Sequence, residues 1–198
     1  MRLGRLFRGG SAANEQLTAV VAMLVLVLLA VEGATLFNLR SLLSVHAFVG
    51  ILLIPVIAVK LASTSWKMLR YYRGDQEYVL RGPPHVVLRM IVAPILIGST
   101  ILLFGTGVWL LALDQTRGTL VGLHKASFVI WIGAFGLHVL SRLLPALRAL
   151  RGRVPGLSLR VGVATLSVVA GLAVAMATLP AADHLQDKVS GHVGFDEH

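Results

Sequence analysis

The sequence contains no cysteine. That absence removes disulfides, thiolate-bound zinc, iron–sulfur clusters and the C-x-x-C-H attachment of c-type haem, so any metal or haem iron must be held by His, Met or carboxylate. Charge is scarce too. Only 14% of the 198 residues are Asp, Glu, Lys or Arg, where a soluble domain carries about 25%. Acidic residues are the scarcer sign, 9 against 18 basic, for a formal net charge of +9. A basic balance alone would point to nucleic acid, but the placement of these residues has another explanation, given below.

What fills the space instead is apolar sequence, 56% of the chain. It is gathered into five runs long enough to cross a bilayer: residues 17–37 (LTAVVAMLVLVLLAVEGATLF), 42–64, 86–113, 119–141 and 159–180. The first run follows a basic N-terminus but is longer than a signal-peptide core of about 7–15 residues, and no clear A-x-A site follows it, so it reads as a span. The connections NLRS and DQTRG are a few residues long, which forces antiparallel neighbours. The expected fold is an all-α, up-down integral membrane bundle of five helices over residues 1–182, with a polar tail over 183–198. Pro83-Pro84 marks the start of the third helix. Fourteen of the Lys and Arg residues fall at one face (the N-terminus and the second and fourth connections) and four at the other. The positive-inside rule then predicts a cytoplasmic N-terminus and an outside C-terminus. The basic charge is a topology signal and a contact for anionic lipid, with no nucleic-acid partner implied.

Seven histidines are present. His184, His192 and His198 lie in the tail, at irregular spacing, and read as solvated. His46, His85, His124 and His138 lie in or at the spans, where polar groups are costly and mark function. His124 and His138 stand fourteen steps apart on one helix, on nearly one stripe and roughly 21 Å apart in depth. Span two enters from the outside, so His46 shares the depth of His124. Span three starts at the inside, so His85 shares the depth of His138. Two stacked imidazole pairs between facing helices are what two b-type haems need, with one axial ligand from each helix. Gly50 lies one turn from His46, and Gly122, Gly133 and Gly136 flank the other ligands; small residues leave room for a macrocycle. Arg89, one turn after His85, is placed for the propionates of the inner haem. Arg40, Arg117 and Lys125 are candidates at the outside.

On these residues the chain resembles the cytochrome b561-like membrane subunits that anchor bacterial hydrogenases and formate dehydrogenases. The His124/His138 spacing is the most specific element, and His46, one turn into the second span, supports it. The resemblance implies a bundle in a bacterial-type plasma membrane holding two b haems (outer His46/His124, inner His85/His138). It further implies electron transfer between quinone and a redox protein partner, as a possible quinone-linked oxidoreductase subunit of a larger redox complex. The chain departs from that family in its first span, which has no histidine; His85 takes the place of that ligand.

Other residues have plainer readings. Glu32 is a candidate proton acceptor at a quinone site or a hydrated interfacial carboxylate. Lys60 has a stem long enough to snorkel to the inner headgroups. Ser167, Gly171 and Ala175 form a small-residue packing stripe. Asp114 and Gln115 are turn residues. Two other function classes compete with the cytochrome: a carrier or chaperone of metal ions or haem using the same histidines, and a membrane anchor without cofactor.

Overall fold

The computed structural model describes residues 10–79, 87–151 and 157–191. Five long helices run in chain order: α1 Gly10–Thr35, α2 Leu43–Tyr72, α3 Ala93–Ala112, α4 Thr119–Arg151 and α5 Leu157–Gly191. Each contains a stretch long and apolar enough to cross a membrane, and no strand occurs among the described residues. The chain is therefore an all-α membrane helical bundle. Side chains such as Leu140 (80% exposed) and Val129 (68%) point away from the bundle, as lipid-facing residues do.

The helix ends follow from local chemistry. At the end of α2, Gly74 has φ +76°, Asp75 N–H donates to Arg70 O and Gly74 N–H to Tyr71 O. This is a Schellman closure, with glycine at the left-handed position. At the end of α3 the same pair of bonds runs from Gln115 N–H to Leu110 O and from Asp114 N–H to Leu111 O. There the left-handed residue is Asp114, at φ +52°; Asp tolerates this region better than most L-residues. Before α3, Leu88–Val92 forms a π-helical turn in which Ala93 N–H donates to Leu88 O. Pro94 follows at once and brings no N–H, so the ordinary ladder is interrupted here in any case. Arg89 lies in this turn, and its side chain is outside the described residues, as are Pro83, Pro84 and His85.

Neighbour relations place the site. α1 packs on α2, α2 on α3, α3 on α4 and α4 on α1, while α5 lies against α2 and also touches α1 and α3. Hence α2 and α4 stand on a diagonal of a four-helix ring, without close backbone packing on each other. Val21 and Val25 of α1, Val56 of α2 and Ala164 of α5 form one buried cluster; Ile51 and Leu52 of α2 with Ala175 of α5 form another. The stripe Ser167, Gly171 and Ala175 is buried along α5. At Gly171 the backbones come so close that an added Cβ would collide with Leu52 O.

Over 183–191 the expected polar tail is helical. α5 continues through Pro180 to Gly191, with Ala182 and Leu185 buried; residues 192–198, including His192 and His198, lie outside the described residues. The extension holds because its polar side chains have partners on the bundle. Gln186 Oε1 accepts from Ser44 N–H at 2.8 Å, Gln186 Nε2 donates to Ser41 O at 2.8 Å, and Ser44 Oγ donates to Asp183. Ser44 is in the first turn of α2, whose N–H groups have no partner in their own helix. A side-chain cap at such a position is worth on the order of 1 kcal/mol. Asp183 and Gln186 thus fasten the turn that carries His46.

Asp114 fastens the same extension from the other side, through an ion pair with Lys188 and a contact to His184 Nδ1 at 3.2 Å. The Lys188 hydrogen bond holds its carboxyl below the usual carboxylate range, with desolvation opposing and His184 reinforcing. A folded-state value below the unfolded one stabilises the fold above the unfolded value, and the gain is lost as pH falls through the folded one. Thermal unfolding in detergent of wild type and Asp114→Asn should therefore differ at neutral pH and converge as the pH is taken down through and below the carboxylate range. A difference that persisted unchanged in acid would remove the ion pair as its cause.

Candidate functional site

His46 enters the bundle from the first turn of α2, its N–H bonded to Leu42 O. His124 enters from α4 at the same end. The ring centroids are 6.5 Å apart and the planes meet at 87°. The diagonal placement of α2 and α4 lets side chains, and not backbones, close the gap.

Each ring is held at Nδ1. His46 Nδ1 lies 3.0 Å from Glu32 Oε1 and 3.0 Å from Thr35 Oγ1, both on α1. Thr35 gives its single hydroxyl proton to Glu32 O at 2.6 Å, so towards the ring it can only accept. Nδ1 of His46 therefore carries the proton and donates. His124 Nδ1 lies 3.1 Å from Leu103 O and 3.0 Å from Thr106 Oγ1 on α3. A carbonyl can only accept, and Thr106 spends its proton on Leu102 O and Leu103 O at 2.7 and 3.0 Å. His124 Nδ1 is a donor for the same reason. Both rings thus donate through Nδ1. Nε2 of each is the nitrogen left over, and it has no hydrogen-bond partner among the described residues.

This is the arrangement of metal-ligating histidines, whose second nitrogen is oriented by a carboxylate, carbonyl or hydroxyl. A metal–imidazole bond of about 2 Å puts the centroids of two rings on opposite sides of one ion about 6 Å apart. The observed 6.5 Å is close to that spacing. No group of three or more His, Asp or Glu converges as an ion cage among the described residues.

The glycines sort differently from their sequence neighbourhoods. Gly50 backs onto Glu32: a Cβ there would lie 3.5 Å from Oε1. The glycine against His124 is Gly107 on α3, where a Cβ would lie 3.2 Å from Cε1. Gly122 and Gly133 are exposed, and a Cβ at Gly122, Gly133 or Gly136 meets nothing within 4 Å. Thr35, Thr106 and Gly107 are site residues that sequence reasoning missed, and Glu32 was named there without its contact to His46. Glu32 was visible as a carboxylate near the end of its span, but nothing in one sequence says which way a helix is rotated.

At the opposite end His138 is half-buried on α4, and its ring makes no hydrogen bond among the described residues. Lys60 and Arg142 lie within electrostatic reach of it. Lys60 does not extend away from the bundle. Its ammonium donates to Thr18 O of α1 at 3.2 Å, beside a bond from Thr18 Oγ1 to Ser63 Oγ at 3.1 Å. The pairing of His85 with His138 falls outside the described residues. Compared with protein-family models, curated proteins and solved structures, the chain matches none.

Proposed function

We propose that this chain is a b-type membrane cytochrome, a relative of the cytochrome b561-like subunits. It would carry electrons across or within the membrane between quinone and a redox partner. One observation carries the reading: two imidazoles on diagonal helices, each donating through Nδ1 and with Nε2 unpartnered among the described residues, stand at a centroid separation of 6.5 Å. His46 and His124 are the axial ligands of one haem. Gly107 lets α3 approach the His124 ring without a side chain between them. His138 with His85 would hold a second haem about fourteen residues deeper along α4. Arg89, Lys60 and Arg142 supply positive charge for the propionates at that end. Bound there, haem supplies reversible one-electron chemistry. The protein's part is to hold the rings, exclude water and space the two sites along α4, roughly 21 Å apart by helix rise. The asymmetry of basic residues supports a cytoplasmic N-terminus in a bacterial-type plasma membrane.

A carrier of metal ions would be favoured by carboxylates lining a broken-helix midplane. The acidic side chain at this site, Glu32, is instead engaged by an imidazole, which favours a fixed ligand. The test is electron transfer itself. Proteoliposomes with ferricyanide trapped inside should bleach when dithionite is added outside, and vesicles without protein should not. Bleaching no faster than in empty vesicles would overturn the conduit.

A further inference from the structure

The two rings at the His46 end are not held alike. His124 donates to a neutral carbonyl and a neutral hydroxyl. His46 donates to a neutral hydroxyl and to the carboxylate of Glu32. That carboxylate is largely buried, 16% exposed, and lies 3.0 Å from Nδ1. Its second oxygen, Oε2, is buried with no hydrogen-bond partner. A buried carboxylate left half-satisfied is destabilising, so the site keeps a group that stability alone does not favour. Gly50 lies across from it on α2, where a Cβ would meet Oε1 at ordinary contact distance, 3.5 Å.

We propose that Glu32 is the positioning residue of His46, and that its charge sets the redox potential of the haem those imidazoles hold. The inference rests on the haem reading and goes beyond it. A carboxylate accepting from Nδ1–H raises the basicity of the ligand. A more basic imidazole favours ferric over ferrous iron, so this haem is held at the low-potential side. Geometry adds a second consequence. Thr35 and Glu32 grip one ring from α1, Thr106 and Leu103 grip the other from α3, and the planes stand at 87°. Perpendicular axial imidazoles give ferric haem a strongly anisotropic low-spin electron paramagnetic resonance signal at low field. Parallel planes give the ordinary rhombic spectrum.

The experiment is a redox titration of purified wild type, Glu32→Gln and Glu32→Asp, with spectra of the oxidised forms. Glu32→Gln keeps an acceptor for Nδ1–H and removes the charge. It should retain haem and shift the ferric-to-ferrous equilibrium of one haem at least tenfold towards ferrous, about 59 mV for one electron. Glu32→Asp withdraws the charge by one methylene and should shift the same haem in the same direction, by less. Wild type should show the low-field signal. Should Glu32→Gln fail to accumulate, Glu32→Asp carries the test alone. Wild-type potential in each Glu32 variant that accumulates, with haem bound, overturns the role of Glu32 and leaves the cytochrome reading standing. Wild type that binds no haem overturns both.

Discussion

His46→Ala and His124→Ala are each expected to cost the protein one haem, and to look alike. The rings come from different helices, but they converge at a centroid distance of 6.5 Å and, on the proposed reading, would serve one iron. Removing either leaves an axial position open and a cavity beside an apolar macrocycle. The affected haem should be lost or become five-coordinate, while the haem at the His138 end keeps its low-spin spectrum. Because the two residues act on one site, the double variant should add little to either single one. His85→Ala and His138→Ala should form a second matching pair that affects the other haem. Haem-to-protein ratios and reduced spectra of these variants decide the matter. Loss of both haems from a single substitution, with the bundle still folded, would contradict two independent sites.

Gly171→Ala should be the most damaging small substitution in the bundle. The added Cβ would collide with Leu52 O, and backbone cannot swing aside as a side-chain end can. Overpacking of this kind costs typically about 1–3 kcal/mol, occasionally more. Here it would wedge α5 off α2, the helix that carries His46. Gly162→Ala, on the same helix with nothing within 4 Å, is the control and should be close to neutral. Thermal unfolding in detergent compares them; equal midpoints would show that the α2–α5 contact is looser than the structure has it.

The five helices and the shared depth of His46 and His124 were legible in the sequence. Apolar run length counts depth directly, at about 1.5 Å per residue, and short connections fix direction. Rotation about each helix axis was not legible. Glu32 was seen as an interfacial carboxylate, and only the packing of α1 against α2 turns it onto His46. Gly107 is no nearer to His124 in sequence than many other residues; it meets the ring because α3 and α4 form a tight hairpin. The end of α5 was misread for a related reason. Residues 183–191 are polar, as solvated tails are, but their partners Ser41, Ser44 and Asp114 sit in or beside two other connections. A polar run gives no sign in itself of whether it is hydrated or paired.

The central claim is that imidazoles from α2 and α4 hold haem. It is tested most directly by the optical spectrum of the purified full-length protein, oxidised and then reduced, with haem counted against protein. The account predicts a coloured protein whose reduced form shows the sharp visible bands of six-coordinate, low-spin b-type haem, at two haems per chain. A colourless protein that stays so after haem is supplied during expression, or a purely high-spin spectrum, would contradict it.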